Sequence, residues 1–337
     1  MESLSNFTQS YTRNEVNILV SFKEYCASKN LEYRFDLYPN DFLIKFLRSK
    51  NYKMEETYQK FIKYLKFAQE YQIEHINEVQ FPNIDKIKIF YPHNFHKTTK
   101  TGHPIFLQNL GELKINDINK LLPDKKLIQY ITFLLEKMRN NIFPKCSLES
   151  KKNIDRVFCI VDLLGLTTSL MNKKVFDFLN QQLTICQNYY PGILEGLYFV
   201  NTGLIFRALW ASCKYFYDED TRNRIKLLGF DYKPTLLEKV NPKNLPKLIG
   251  GECNCEPYGC FFSDLGPWSD NNNKQNIKAR SKTFMEMIND EKTNEIYEKL
   301  KRNKTVINEL KVDEDIQYFE GGDVNNVNSS IKPIKEI

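Results

Sequence analysis

A chain of 337 residues, 42% hydrophobic and 13% aromatic, is long enough to bury one large core or two ordinary ones, which excludes a disordered polypeptide. Its net charge of +6 is a small surplus of interspersed bases over acids, which disfavours a dedicated nucleic-acid protein and is compatible with an anionic membrane surface. The eight cysteines are scattered, some of them inside apolar runs (Cys159, Cys186, Cys213), behind a polar N-terminus with no secretory leader, so reduced thiols in the cytoplasm are expected. No run approaches the ~20 apolar residues that span a bilayer, and any membrane contact is expected to be peripheral.

Residues 1–13 are polar and expected to be disordered. From Asn14, the apolar residues Val16, Leu19, Phe22 and Cys26 recur at helical spacing. Pro39-Asn40-Asp41 signals a second helix, carrying Phe42, Leu43, Phe46 and Leu47, and Met54, Tyr58, Phe61, Ile62 and Leu65 mark a third. Residues 14–80 are therefore predicted to be a small helical module.

From residue 81 the character changes. Thr98–Gly102 predicts a turn and Pro104–Asn109 a short strand. Pro123 suits the first turn of a long helix with Leu127, Ile131, Leu134, Leu135 and Met138. Val157–Leu163 is continuously apolar, as expected of a strand covered on both faces. A helix over about 170–188, a strand at 197–201, an apolar segment at 204–217 and a short strand at 225–229 follow. Strand and helix alternate, so an α/β fold with a largely parallel sheet behind a helical cap is expected. Residues 271–312 predict charged amphipathic helices and 313–337 a flexible tail.

The segment 204–217 admits two readings. Arg207 and Lys214 stand seven positions apart on an otherwise apolar helix, which is either a fully buried core helix or a lipid-facing wall whose two cations reach phosphates.

His93, His96 and His103 cluster within a short span, but no further ligand stands at a metal-site spacing, and a polar turn is the preferred reading. Cys253, Cys255 and Cys260 form a C-x-C-x4-C group that lacks an evident fourth ligand, so a loop with free thiols is favoured over a zinc site. No phosphate-cradling glycine loop and no nucleophile elbow is present. Asp162 at a strand end is read as a carboxylate accepting local hydrogen bonds. No catalytic residue, cofactor or metal is assigned.

These stretches together resemble the CRAL-TRIO family, most closely its phosphatidylinositol/phosphatidylcholine transfer proteins. The resemblance is carried by Phe42-Leu43-Ile44-Lys45-Phe46-Leu47-Arg48, Tyr91–Thr98, Gly102-His103-Pro104, Val161-Asp162-Leu163, Gln187–Pro191, Asn244–Gly251 and Ser263–Trp268, in order across roughly 40–270. It implies a lipid-binding domain over 81–270 with a sheet floor and a gate helix, the gate falling on Phe206, Arg207, Trp210, Lys214 and Phe216.

The family's headgroup residues transfer in part. An Arg-Lys pair after the cap motif corresponds to Lys50 and Asn51, a Glu-Arg pair after Tyr-Tyr-Pro to Gly192 and Ile193, and a Thr and a Lys after the gate to Thr221 and Arg224. For choline lipids, two strand hydroxyls become Val157 and Cys159, three tyrosines become Phe95, Phe106 and Leu135, and Tyr190 remains. The resemblance implies a monomeric cytoplasmic protein, peripheral to membranes, without enzymatic activity. It would bind and transfer phospholipid, with phosphatidylinositol favoured through Lys50, Tyr190, Thr221 and Arg224 and phosphatidylcholine weak or absent. A carrier of another hydrophobic ligand, sterol or tetrapyrrole, and an adaptor with a collapsed pocket are the alternatives.

Overall fold

The computed structural model describes residues 11–31, 38–166, 173–255 and 259–269. The helices expected over 271–312, the tail over 313–337 and most of the N-terminal 1–13 stretch lie outside the described residues.

Three helices, α1 (Arg13–Ser28), α2 (Asn40–Ser49) and α3 (Met54–Glu70), build the cap. Helix α1 starts on a reciprocal capping box, in which the Glu15 amide donates to Thr12 Oγ1 at 3.2 Å and the Thr12 amide donates to Glu15 Oε2 at 3.1 Å. The apolar face of α2 (Phe42, Leu43, Phe46, Leu47) is buried against Phe22, Phe61 and Tyr64. This aromatic cluster does not end at the cap. Tyr64 meets Tyr190 edge-on at 6.2 Å, and Phe67 stacks on Tyr189 at 3.8 Å, pairs that contribute about 1 kcal/mol each beyond their burial. One apolar core therefore runs from the cap into the sheet domain.

After α4 (Ile84–Phe90) comes a five-stranded sheet in sequential order: β1 (His93–Thr98), β2 (Pro104–Asn109), β3 (Val157–Asp162), β4 (Leu194–Val200) and β5 (Ile225–Leu227). Strands β2 to β5 are parallel, and β1 pairs antiparallel with β2. Between β2 and β3 lie α5 (Ile115–Leu121), α6 (Asp124–Lys137) and α7 (Phe143–Ser150), with a π-helical turn at Met138–Ile142. Helix α8 (Lys173–Tyr189) joins β3 to β4, while α9 (Leu204–Cys213) and α10 (Glu219–Arg224) join β4 to β5. Helices α11 (Lys233–Lys239) and α12 (Cys260–Ser263) follow.

The pleat sorts side chains into two layers. Phe106, Val157, Cys159, Val161, Leu197 and Phe199 join the core shared with the helices and cap. Ile105, Leu107, Phe158, Ile160, Tyr198 and Val200 face a second core built by Tyr232, Leu236, Val240, Leu245, Ile249 and Phe261. Both faces of β3 are covered, which is why its sequence is apolar without interruption.

Strand β1 corrects the expectation of a polar turn around the histidines. His93 and His96 are buried strand residues, and only His103 follows the turn. The His93 Nδ1–H donates to the Tyr91 carbonyl at 2.6 Å and its Nε2 accepts from the Tyr130 hydroxyl at 2.9 Å. Burial lowers its pKa to about 3, so the ring is neutral.

Candidate functional site

The cap, the sheet and helices α6, α8 and α10 enclose a cavity of about 690 Å³. Its interior is apolar: Phe95, Phe106, Leu135, Val157 and Cys159 line it together with Phe178 and other residues of α6 and α8. Burial raises the Cys186 thiol, also on the lining, to about 12, which keeps it protonated and unreactive.

Charged groups also reach the lining. Lys45 and Arg48 from α2, Asp155 and Arg156 preceding β3, Gly192 before β4, and Thr221 and Arg224 from α10 all border the cavity. The chain places them there by register: Arg156 directly precedes Val157, which pairs with Leu194, and α10 runs straight into β5. Lys45 bridges cap and domain, its Nζ 3.1 Å from Asp155 Oδ2 and donating to the Asp155 carbonyl at 2.6 Å. Burial lowers the Lys45 pKa, and the Asp155 charge counters part of that shift. Arg224 forms a two-point pair with Asp220, Nε at 2.9 Å and Nη2 at 2.8 Å, which raises its pKa further and depresses that of Asp220. The Thr221 hydroxyl donates to Asp218 at 3.1 Å. Tyr190 is buried on the lining, and its hydroxyl donates to Glu136 Oε1 at 2.8 Å, a carboxylate also held by Arg139 and Asn140.

Of the four residues assigned to the headgroup from sequence, Tyr190, Thr221 and Arg224 border the cavity, whereas Lys50 caps the C-terminus of α2 and is absent from the lining. Lys45, Arg48 and Arg156, which sequence reasoning missed, supply the other cations. Lys45 and Arg48 lie three apart inside the cap motif, and that polar stripe on a strongly amphipathic helix was the available signal.

The gate segment is a surface helix rather than a fully buried one. Only Phe206 and Cys213 of α9 are buried, while Leu204 is 72% exposed. None of Phe206, Arg207, Trp210, Lys214 and Phe216 is on the lining; Phe206 packs 4.9 Å behind Phe199, which is. The chain tightens into a 3-10 turn at Lys214–Phe216, so Arg207 and Lys214 do not share one helical line. Arg207 donates to the carbonyls of Thr202 and Leu227 at 3.4 and 3.3 Å, and the Lys214 ammonium sits 5.0 Å above the Tyr215 ring.

Asp162 is buried away from the cavity lining, and its Oδ1 accepts from the Leu164 amide at 2.9 Å and Asn201 Nδ2 at 2.7 Å. Its carboxylate thus accepts local hydrogen bonds at the end of β3.

Residues 86–251 match the CRAL/TRIO domain, and the Sec14 cytosolic factor of Schizosaccharomyces pombe is 30% identical over 227 residues, 67% of this chain and 79% of that protein. The chain belongs to the CRAL/TRIO family. Two Arabidopsis thaliana proteins of this kind, the phosphatidylinositol/phosphatidylcholine transfer proteins SFH11 and SFH7, are each 34% identical, over 71% and 78% of this chain. The matched region spans 64% and 50% of those plant proteins. The crystal structure of Sfh5 superposes with a TM-score of 0.55 at 16% identity, covering 81% of this chain and 99% of Sfh5, a likeness of fold. The CRAL/TRIO match begins in α4, so the cap residues Lys45 and Arg48 reach the cavity of the CRAL/TRIO domain from outside the matched span. No helix among the described residues is long and apolar enough to cross a membrane.

Proposed function

We propose that this CRAL/TRIO protein binds a phospholipid and carries it between membranes without a chemical step. The observation that supports the reading is one cavity whose lining combines an apolar wall with four cations, Lys45, Arg48, Arg156 and Arg224, each paired with a carboxylate that an anionic headgroup could replace. Acyl chains fill the interior, where burial stabilises the complex by ~25 cal/mol per Å² of apolar surface. An anionic headgroup displaces Asp218 and Asp220 from Thr221 and Arg224 and takes charge-assisted hydrogen bonds in their place.

Phosphatidylinositol is the cargo this reading favours, because Tyr190, Thr221 and Arg224, three of the residues that the family resemblance assigns to the headgroup, border the cavity; the plant relatives are named for phosphatidylinositol and phosphatidylcholine alike. Phosphatidylcholine is disfavoured, because Val157 and Cys159 offer its phosphate no hydroxyl and Phe95, Phe106 and Leu135 replace polar ring edges in the same cavity. The protein works as a monomer in the cytoplasm and meets membranes transiently, through the apolar side chains that α9 and the turn after it expose. Mass spectrometry of lipid that co-purifies with the full chain, together with exchange assays from vesicles containing labelled phosphatidylinositol or phosphatidylcholine, tests the assignment. Equal exchange of the two lipids refutes the preference, and absence of any lipid refutes the carrier.

A second reading, a neutral apolar ligand such as a sterol, draws on the same apolar lining. It predicts a co-purifying molecule without phosphorus and transfer that is indifferent to Arg156 and Arg224. The adaptor alternative requires side chains to fill the interior, whereas the described residues leave it open.

A further inference from the structure

The back of the sheet holds a second cluster of chemically capable side chains, none of them on the cavity lining. In β1 the pleat sends Phe95 to the cavity side and His96 the other way, beneath the segment that follows α11. There His96 meets Cys253, Cys255 and Cys260. The Sγ atoms of Cys253 and Cys255 are 3.6 Å apart, Cys255 Sγ is 3.9 Å from His96 Nδ1, and all four candidate ligand atoms lie within 4.8 Å of one another. Three of the four residues are buried and the fourth, Cys255, is half-buried.

Thiols are weak hydrogen-bond partners, so gathering three of them around a buried imidazole is poorly compensated unless something else binds them. Four ligands on a tetrahedral ion with metal–sulfur bonds of about 2.3 Å stand about 3.8 Å apart, and the observed spacing brackets that value. Ligands shared among several irons would stand farther apart than ligands of one ion, and a soft three-sulfur, one-nitrogen tetrahedron selects zinc over harder divalent cations.

We propose that His96, Cys253, Cys255 and Cys260 bind one zinc ion that fastens the C-terminal flank of the domain to strand β1. Binding displaces the three thiol protons, leaving three thiolates and a neutral imidazole ligating through Nδ1, with the ring proton on Nε2. The backbone is shaped for the site. Gly250 adopts φ +87° to turn the chain toward Cys253, and a Cβ on Gly251 would stand 2.0 Å from the Leu245 carbonyl oxygen. Cys253 then bridges to Pro246, its amide donating to the Leu245 carbonyl at 3.0 Å.

The ion would also bear on the cavity. The flank it fastens covers the free edge of β1, where the Lys97 amide donates to the Leu265 carbonyl at 2.6 Å and Asn244 Nδ2 to the Thr98 carbonyl at 2.9 Å. The same flank carries Asp264, 2.6 Å from Lys137 of α6, and Trp268, edge-on to the lining residue Phe95 at 6.3 Å. Zinc is therefore structural here, holding the back of a cavity wall.

The test is metal content. The full chain, purified under reducing conditions from zinc-sufficient medium without chelators, is expected to contain one zinc per chain by mass spectrometric elemental analysis. Cys255→Ser and Cys260→Ser, each alone, should lower that at least tenfold, and Cys146→Ser should not change it. Cobalt(II) exchanged into the wild-type protein should show thiolate-to-metal charge-transfer bands that weaken in Cys260→Ser. If either variant fails to fold, the stoichiometry and cobalt spectrum of the wild-type chain decide alone. A wild-type protein with less than a tenth of a zinc per chain after zinc is added, a disulfide among the three cysteines, iron in place of zinc, or zinc that persists in His96→Ala with Cys255→Ser would each overturn the proposal.

Discussion

Lys45 on the cap and Asp155 just before β3, both on the cavity lining, form an ion pair 3.1 Å apart, with their side chains 14% and 22% exposed. Removing one partner leaves the other charge in a poorly solvated place, so Lys45→Ala is expected to destabilise the protein by about 2–3 kcal/mol. The double variant Lys45→Met/Asp155→Leu should recover most of that stability in urea titration. Under the proposed function it should not recover transfer of anionic lipid, because one of the cations bordering the cavity is gone. Recovery of both would assign Lys45 a purely structural role.

Arg224 and Arg156 border the cavity and Lys50 does not. Loss of a charge-assisted hydrogen bond to a phosphate costs about 1.5–3 kcal/mol, a tenfold or larger fall in affinity. Arg156→Ala and Arg224→Ala should each lower phosphatidylinositol transfer by about that factor, while Lys50→Ala should stay within twofold of wild type. Vesicle exchange assays with the single variants distinguish them, and a large Lys50 effect would place the headgroup nearer the end of α2.

Asp162 gives stability a pH dependence of known sign. Burial raises its pKa to about 6, against an unfolded value of about 3.9. The unfolded chain releases this proton first, so between about pH 4 and 6 folding loses roughly 3 kcal/mol from this group, and the loss persists at higher pH. Asp162→Asn keeps an acceptor for Leu164 and Asn201 and avoids the charge. It should be more stable than wild type at pH 7.5 and show no advantage at pH 4 in chemical denaturation. An advantage independent of pH would show that the carboxyl is not the cause.

Glu15 acts in the opposite direction. The hydrogen bond from Arg48 Nε, at 2.9 Å, is the main reason its pKa falls to about 2, helped by Thr12 and Tyr52. Its contribution is present above about pH 4.5 and disappears as pH falls toward 2; allowing for the solvent around Arg48, it is about 1 kcal/mol. The stability difference between wild type and Glu15→Gln should shrink over that interval, and an unchanged difference at pH 3 would remove Glu15 from the account.

How much of this was legible in sequence depended on how local the cause is. The uninterrupted apolar run of β3 announces a strand covered on both faces, and the parallel sheet follows from it. Strand β1 was illegible because buried His93 and His96 occupy positions where apolar residues would have shown the alternation. Lys45 and Arg48 look like the solvent face of a cap helix until the sheet domain is placed opposite them. The fourth member of the cysteine cluster could not be read from spacing at all, because only the pleat of β1 decides that His96, and not Phe95, points at Cys255.

The apolar exposure around α9 carries the last prediction. Leu204 and Tyr215 are each 72% exposed and Phe216 is 48% exposed, while Lys214 and Arg222 flank the Tyr215 ring at 5.0 and 5.5 Å. Large apolar side chains bordered by cations suit an anionic bilayer interface, where each buried side chain contributes about 1.5–3 kcal/mol. Leu204→Ser with Phe216→Ser should therefore lower binding to anionic vesicles at least tenfold and slow transfer in proportion. Both positions are solvent-exposed and off the cavity lining, so thermal stability and the amount of co-purifying lipid should not change. Sedimentation with vesicles, a melting curve and lipid extraction on the same preparation separate the membrane step from the binding step. Undiminished vesicle binding would move the docking surface elsewhere, and loss of co-purified lipid would show that these side chains retain cargo rather than reach the membrane.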